Sequence, residues 1–536
     1  MSTSQSKNNV KMKEKPKKKF TAGKTDNFWA ESIYYEGNPT FLTFDGKKLS
    51  LVSTVRVKGE TFEPITNNQI PYRPYEYHEE EWNQVRDKAS LYDMVFREID
   101  DFLDLEDNYK HQITSGVKLT YQQDKFRTVP YLDFVGDVES GKSRALELLS
   151  YLTYRPMFCV SAPVADIYGY LEDDSFVGTI LEDEIQGIEK EREKLKIYKT
   201  GYRYGAKVPR TIMTPYKRFI KYYNTYCIKC VAGERTSYDR GLMDRFIIIP
   251  MAEGMPRKEK VENDDLERFR KIRNLLLNWR LMTRHSPLEP ASDLSLHGRT
   301  RELWEPLLSI AKGTVGEEVL KRSVLENFER RKNDRRDSLE GQIAKAVISL
   351  VISYKRSDLA FAEIWNLLSH DLPGATPNPR NPNEMQTQNF GKVTKNRIGF
   401  RLKDVFKASS EVMWLDGEPT RVYRFDTERL NRAVKKYYLS DFLTDLTGIT
   451  DSGKTIQQFL GQKTHENTHN LIPKTSSENT LSRSVISNVS KTCKDLEPFL
   501  EEPNMRESGQ DEFEKEQTRF YGIDLARLQK RKDESK

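Results

Sequence analysis

The residues that most constrain this 536-residue chain lie at positions 136–143, where two glycines, a lysine and a serine stand at fixed spacing. They read Gly-Asp-Val-Glu-Ser-Gly-Lys-Ser and match the pattern G-x-x-x-x-G-K-[ST]. The run Tyr131–Val135 before them is typical of a strand, and Arg144–Leu152 after them predicts an amphipathic helix. A strand that enters a helix through a glycine-rich turn aims backbone N–H groups and the helix N-terminus at a phosphate. The pattern therefore predicts a phosphate-binding loop, or P-loop, in an α/β fold whose parallel sheet is flanked by helices.

This loop predicts ATP and Mg²⁺ as ligands. Lys142 would reach the β- and γ-phosphates, and the Ser143 hydroxyl would ligate Mg²⁺. The residues expected to surround the nucleotide are Gly136, Asp137, Val138, Glu139, Ser140, Gly141, Lys142, Ser143 and Arg144.

An acidic pair follows a second strand-like run about 40 residues later, in Val177–Glu184. We expect this strand to neighbour the P-loop strand, with Asp183 holding Mg²⁺ through water and Glu184 polarising the attacking water as general base. An adjacent Asp-Glu pair favours ATP hydrolysis over small-molecule kinase chemistry, which needs no water-activating base. The alternative is a chance P-loop match with a surface acid pair.

Two further segments complete the nucleotide-site prediction. Arg245, in Leu-Met-Asp-Arg-Phe before the strand Phe246–Ile249, could reach the γ-phosphate of a neighbouring subunit as an arginine finger. The alternative is that Asp244 and Arg245 form a surface pair at the start of the strand. Residues 199–210 combine glycines, tyrosines and cations, which predicts a flexible loop that touches phosphates or a stacked base, or else a solvated connection.

The chain resembles helicase- or primase-associated P-loop ATPases of plasmids, viruses and integrated elements, a family known especially from archaea and related to the RecA/AAA+ ring ATPases. The resemblance spans about residues 80–315 and rests on Gly136–Ser143, Leu181–Glu184, Thr200–Arg210, the Ala232-Gly233 to Asp244-Arg245 segment and Arg299–Ala311. It implies that Arg299 or Arg301 senses nucleotide from a helical lid. The chain departs from the family in two ways: a polar sensor residue is missing after Tyr226–Val231, and Glu182 adds a third carboxylate, which could disturb the metal or face solvent.

The C-terminal part predicts a winged helix. Helical patterns at Ser338–Tyr354, Phe361–Leu368 and Val393–Val405 precede two β-prone runs, Glu411–Leu415 and Thr420–Phe425. The third helix would lie in a DNA groove, with phosphate contacts from Lys395, Arg397, Arg401 and Lys403. The alternative is a winged helix used for protein contact or ring assembly.

Charge and composition divide the rest of the chain. The first 25 residues hold eight lysines and one glutamate, so the net charge of +6 belongs to this segment and the remainder is near neutral. No apolar run approaches the roughly 20 residues that span a bilayer, and four cysteines favour a reducing cytoplasm over a disulfide framework. The predicted parts are a disordered basic arm (1–25), a small β-rich unit (26–79), the ATPase core (80–252), a helical lid with a linker at Glu329–Asp337 (253–337), the winged helix (338–440) and a mostly disordered tail (441–536).

These features predict an ATP-driven, DNA-associated motor, such as a replication helicase of a mobile element. We expect a cytoplasmic homo-oligomer that could form a ring, with DNA as partner, no membrane association and priming supplied by a separate protein. One alternative is an ATP-dependent initiator or regulator that binds DNA without unwinding it. Another is a DNA-independent protein remodeller, which the near-neutral body favours.

Overall fold

A computed structural model describes residues 18–66, 72–171, 178–214, 217–237, 239–288, 296–415, 417–447 and 456. Within these ranges, none of the helices combines the length and the apolar character needed to cross a membrane. The basic segment 1–17 and most of the predicted tail lie outside them.

Short strands dominate the N-terminal part. They are β1 (Lys18–Phe20), β2 (Ala22–Lys24), β3 (Trp29–Tyr35), β4 (Asn38–Phe44), β5 (Leu49–Val52), β6 (Val55–Val57), β7 (Glu60–Pro64) and β8 (Glu76–Tyr77). One sheet has the order β1-β7-β6, and a second has the order β2-β3-β4-β5 with β8 beside β3. The predicted boundary at residue 25 is wrong, because the lysine-rich residues 18–24 already pair into these sheets.

Two helices connect this part to the core, α1 (Lys88–Phe102) and α2 (Asp107–Thr120). The sequence pattern predicts one helix over about Glu80–Leu105, whereas α1 begins only at Lys88. Asp87 sets this start, because its side chain accepts a 2.9 Å hydrogen bond from the Ser90 N–H and satisfies a donor that the first turn leaves free.

The core alternates strands and helices. Its elements are β9 (Tyr131–Val135), α3 (Lys142–Leu152), β10 (Pro156–Val160), α4 (Val164–Tyr170), β11 (Thr179–Asp183), α5 (Arg192–Thr200), β12 (Lys207–Met213), β13 (Arg218–Asn224), β14 (Ile228–Gly233), α6 (Arg240–Met243) and β15 (Phe246–Pro250). Five strands form one parallel sheet in the order β10-β11-β14-β9-β15. The predicted parallel α/β core with flanking helices is confirmed, although β14 separates the acidic strand β11 from the P-loop strand β9.

Both faces of this sheet are covered by apolar cores. Leu132 and Phe134 of β9 point to the face that packs with α3, whereas Tyr131 points to the opposite face and packs with α4 and α5. Cys227 and Cys230 also divide between the two faces, as expected for residues three apart on an extended chain. A parallel sheet buried on both faces explains the nearly continuous apolar composition of these strands.

Three helices follow the sheet: α7 (Asn263–Met282), α8 (Gly298–Ala311) and α9 (Glu317–Asp337). The predicted linker at Glu329–Asp337 is wrong, because α9 continues through it. Arginine and lysine are good helix formers, so a dense run of charge is compatible with the exposed side of a long helix.

The C-terminal part has its own apolar core. It comprises α10 (Leu339–Tyr354), β16 (Asp358–Ala360), α11 (Phe361–Asp371), β17 (Thr376–Pro377), β18 (Glu384–Thr387), β19 (Gly391–Thr394), α12 (Lys395–Val405), β20 (Ser409–Leu415), β21 (Glu418–Arg424), α13 (Thr427–Lys436) and α14 (Ser440–Thr447). Strands β16, β21 and β20 form one small sheet, and β17, β18 and β19 form another. Residues 441–447, predicted to begin a disordered tail, belong to α14.

A buried carboxylate fixes the N-terminal strands to the core. Glu31 on β3 is 3% exposed and forms an ion pair with Arg155, which precedes β10. It also lies 3.3 Å from Nε of Arg280 on α7 and accepts a 2.9 Å hydrogen bond from the Tyr154 hydroxyl. The carboxylate of Glu31 therefore joins β3, the segment before β10 and α7.

We predict that Glu31→Gln lowers the free energy of unfolding by about 3–5 kcal/mol, because it removes the carboxylate charge that pairs with the buried Arg155, whereas Arg280 keeps its ion pair with Asp124. The matched control is Glu60→Gln, which removes the exposed ion pair to Lys18 in the same region and should cost about 1 kcal/mol or less. Urea denaturation monitored by circular dichroism measures both. Equal effects of the two substitutions would show that Glu31 does not carry this role.

Candidate nucleotide site

The predicted P-loop connects β9 to α3 with the local geometry that its sequence requires. Glu139 has a φ of 66° and Gly141 a φ of 84°, so the chain turns back through left-handed conformations before the helix starts. The helix begins at Lys142, two residues earlier than predicted, and no side chain of the described residues caps it. Its first N–H groups are therefore available to an anion, as at other helix N-termini that bind phosphate.

Gly136 is required by close backbone packing. A Cβ at this position would lie 2.1 Å from the carbonyl oxygen of Met251, which follows β15. The backbone is also fixed on both sides: Met251 N–H donates to the Val135 carbonyl at 2.7 Å, and Gly136 N–H donates to the Gly233 carbonyl at 3.3 Å. The loop is thus anchored to both strands that neighbour β9.

Lys142 lies folded over the loop. Its ammonium group donates to the carbonyl oxygen of Asp137 and to the hydroxyl oxygen of Ser140, the latter at 3.2 Å. These oxygens are acceptors that phosphate oxygens can replace. The Ser143 side chain is exposed one position further along the helix. The residues present therefore fit a nucleotide phosphate with an associated cation.

Asp183 and Glu184 lie at the end of β11. Alternation along the strand places Asp183 on the same face as Leu181, which packs in the core that contains α3. Asp183 is 9% exposed, and its Oδ1 accepts a 2.9 Å hydrogen bond from Glu184 N–H. Glu184 is exposed and has a φ of 57°, a sparsely populated conformation of the kind found at functional sites.

Parallel pairing brings the two halves of the site to one edge of the sheet. Strands β9, β14 and β11 all end there, and the two outer strands are separated by about 10 Å, twice the strand spacing. The central strand ends in Ala232-Gly233, neither of which carries a polar side chain. Glu234, an exposed side chain that sequence reasoning left without a role, is the first polar residue after it.

The third carboxylate, Glu182, does neither of the things expected of it. It is fully buried on the opposite face of β11, where it forms an ion pair with Lys194 and accepts a hydrogen bond from the Tyr198 hydroxyl. It therefore neither faces solvent nor lies on the Asp183 face.

Arg245 lies just before β15 begins, so it is at the opposite ends of the strands from the P-loop. Phe246 pairs with Tyr131 and Pro250 with Val135, so Arg245 is one strand length, about 16 Å, from the P-loop of its own chain. Its guanidinium carbon lies 4.4 Å from the centre of the Tyr202 ring, and that of Arg299 lies 4.8 Å from the same centre. Neither arginine is placed to contact nucleotide in its own chain, and the other lid candidate, Arg301, pairs with Glu305 at 3.0 Å.

The predicted flexible loop over residues 199–210 is wrong in its second half. Residues from Lys207 pair with a partner strand that sequence reasoning missed, and β12 and β13 form an antiparallel hairpin. The β-prone composition of β13, with Phe, Ile and two Tyr in seven residues, was the available signal. The exposed apolar side chains of this hairpin are Met213, Phe219, Ile220 and Tyr222, and its exposed basic residues include Lys207, Lys217 and Arg218.

Three of the four cations that were predicted to contact DNA from α12 make contacts within the chain. Arg401 lies 3.1 Å from Glu340 of α10, and Arg397 donates to the carbonyl oxygens of Phe390 and Lys392. The Lys395 ammonium group lies 5.5 Å from the centre of the Trp365 ring. Arg397 and Lys403 are exposed, and phosphate contact by these four cations stays a prediction.

No protein-family model and no curated protein matches this sequence. Among solved structures, the chain is similar to the apo NrS-1 C-terminal region (305–718), with 11% identity, 74% of this chain and 96% of that chain covered, and a TM-score of 0.33. A JCV helicase with a bound acetamide compound shares 16% identity over 44% of this chain and 61% of its own, at a TM-score of 0.22. Drosophila ORC bound to DNA shares 10% identity over 66% and 94%, at a TM-score of 0.17.

We predict that Gly136→Ala abolishes nucleotide binding, because the added Cβ collides with the Met251 carbonyl and displaces the loop. Mg²⁺-ATP at about 100 times its Kd should stabilise the wild type by about 2.7 kcal/mol, measured as a rise in Tm, and should leave this variant unchanged. Gly169→Ala is the matched control, since a Cβ there meets nothing within 4 Å. A normal rise in Tm in Gly136→Ala would contradict the site.

Proposed function

We propose that this chain is an ATP-hydrolysing P-loop motor that acts on DNA, of the kind that serves replication of mobile elements. One observation carries the ATPase part: the Lys142 loop and the Asp183–Glu184 pair end at the same edge of one parallel sheet, and Asp183 lies on the face that packs against α3. A binding site alone would not need the second, acidic half.

Each residue of this edge has a separate role in the proposed reaction. Lys142 would leave the Asp137 carbonyl and bind the β- and γ-phosphates, while the N-terminus of α3 supports their negative charge. Ser143 and, through water, Asp183 would hold Mg²⁺, which neutralises charge on the phosphates. Glu184 would orient the attacking water and accept its proton.

Arg245 favours a homo-oligomer. Because it lies one strand length from its own P-loop, it can contribute to hydrolysis only at the nucleotide of a neighbouring subunit. A ring is the closed arrangement that would give each site such an arginine. The resemblance in sequence to relatives of ring ATPases implies the same arrangement, and priming would be supplied by a separate protein.

The β12–β13 hairpin is the best candidate for DNA contact. It is inserted between α5 and β14, its base lies where β9 and β14 begin, at the opposite ends of the strands from the nucleotide site, and it exposes both cations and aromatic rings. Cations that follow a phosphate backbone and rings that stack on bases are the usual elements of single-strand binding. Such contact is tolerant of sequence, as a motor requires.

The C-terminal part supports a second candidate function. Its order of three helices and a β-hairpin is that of a winged helix, which stays a proposal. Two of its arginines are engaged within the chain, whereas Phe400 of α12 and Trp414 of β20 are 63% and 75% exposed. Exposed apolar side chains on this surface favour protein contact over DNA contact, as in a regulator or a protein remodeller.

We predict DNA-stimulated ATP hydrolysis that depends on both halves of the site. Lys142→Ala should abolish binding and turnover, whereas Glu184→Gln should bind ATP and lose about 10²–10⁴ in rate. Arg245→Ala should also bind ATP while losing about 10³ or more. Steady-state phosphate release with and without single-stranded DNA measures these rates. Turnover indifferent to DNA would favour the regulator or remodeller, and no turnover would refute the proposal.

We predict that the hairpin carries single-strand binding. Tyr222→Ala should weaken binding by about 1–3 kcal/mol, and Arg218→Ala should reduce the slope of log Kd against log salt by about 0.7. Trp414→Ala and Arg421→Ala provide the matched pair on the exposed β20–β21 hairpin. Fluorescence anisotropy across a salt series compares the four variants. If only Trp414→Ala and Arg421→Ala weakened binding of single-stranded DNA, the DNA contact would belong to the C-terminal part.

A further inference from the structure

The buried carboxylate of Glu182 lies one residue before the acidic pair and faces away from it. Besides Lys194 and Tyr198, it contacts the backbone N–H of Ala162, which donates to Oε1 at 3.0 Å. Consecutive strand residues point to opposite faces, so Glu182 cannot move without the backbone that carries Asp183. The position of the acidic end of β11 therefore depends on the contacts that Glu182 makes on the opposite face of the sheet.

The partners of Glu182 belong to two different segments. Ala162 lies in the turn that leads into α4, whereas Lys194 and Tyr198 lie on α5. Tyr198 also accepts a 2.9 Å hydrogen bond at its carbonyl oxygen from the Tyr131 hydroxyl of β9. One side chain of β11 thus connects the nucleotide edge to both helices on the opposite face.

The base of the β12–β13 hairpin rests on the same two helices. The ring of Tyr168, on α4, lies 4.5 Å from that of Tyr223 on β13. The Arg210 guanidinium carbon of β12 lies 4.7 Å from the centre of the Tyr168 ring, and its Nε lies 3.9 Å from Glu193 on α5. Tyr223 is buried, while the far end of the hairpin is exposed.

The energetics of a buried ion pair make this connection stiff. Separating Lys194 from Glu182 would leave an uncompensated charge in the interior, which costs more than most rearrangements of packed apolar groups. A displacement of β11 on nucleotide binding is therefore followed by α5. Since α5 is joined to β12 by residues 201–206 and contacts it through Glu193 and Arg210, the hairpin follows as well.

We propose that the Lys194–Glu182 ion pair, completed by Tyr198, is the link through which the nucleotide site positions the β12–β13 hairpin. Lys194 and Glu182 are positioning residues in this account, since neither lies on the Asp183 face of the sheet. The inference rests on the proposed nucleotide site and adds the route by which ATP would control DNA contact.

Hydrogen–deuterium exchange of the peptides that cover residues 207–224 tests the link, with and without Mg²⁺-ATPγS. The main variant is Glu182→Gln with Lys194→Met, which removes both charges together and leaves no buried charge unpaired. Tyr198→Phe is a milder second variant that removes one hydroxyl. The control is Asp100→Asn with Lys110→Met, which removes a partly buried 2.6 Å ion pair between α1 and α2.

The wild type and the control should show a nucleotide-dependent change of exchange in the hairpin. The main variant should bind ATPγS and lose that change, and DNA stimulation of its turnover should fall by about fivefold or more. A wild-type response in the main variant would overturn the link. If that variant does not fold, Tyr198→Phe decides: a weakened hairpin response supports the link, and an unchanged one overturns it.

Failure of the link and failure of the proposed function are distinguishable. Wild-type protein that binds ATPγS without any change in hairpin exchange overturns the link alone. Wild-type protein that binds no ATPγS overturns both, because there is then no nucleotide state to transmit.

Discussion

Parallel pairing of five strands is the constraint on which the site depends. Because β9, β14 and β11 run in the same direction, their carboxyl ends form one edge, which brings together Lys142 and Asp183, 41 positions apart in sequence. The P-loop alone predicts a phosphate site. The proposed hydrolysis requires Asp183 and Glu184 at that edge: strand alternation places Asp183 on the α3 side, and the left-handed φ of Glu184 ends the strand there. The same pairing places Arg245 at the opposite ends of the strands, so in the proposed reaction it would act only on the nucleotide of a neighbouring subunit.

Buried charges then hold this sheet to its surroundings. Glu31 joins the N-terminal strands to the segment before β10 and to α7, and Glu182 joins β11 to α5. Buried ion pairs contribute little net stability compared with apolar residues of the same volume, but they permit one arrangement and penalise others strongly. A motor that converts hydrolysis into movement needs such stiff connections, because a soft interior would absorb the displacement.

The sequence predicted those parts of the fold that depend on residues close together in the chain. The glycines and lysine of residues 136–143, the acidic strand end and the helices of the C-terminal part are each set within a few residues, and all were predicted close to their observed positions. The β12–β13 hairpin, the engagement of Arg401 by Glu340 and the burial of Glu182 depend on partners elsewhere in the chain. Periodicity carries no information on such pairings, and a charge run such as Glu329–Asp337 looks the same in a linker as on an exposed helix.

The most direct test of the central claim is the identity of the nucleotide that stays bound after incubation with Mg²⁺-ATP and rapid desalting. The account predicts ADP in the wild type, ATP in Glu184→Gln and none in Lys142→Ala, because Glu184 acts on the bound nucleotide that Lys142 holds. Retention of ADP by Glu184→Gln at the wild-type level would contradict the role of the acidic edge. A wild type that retains no nucleotide, and shows no turnover, would contradict the site as a whole.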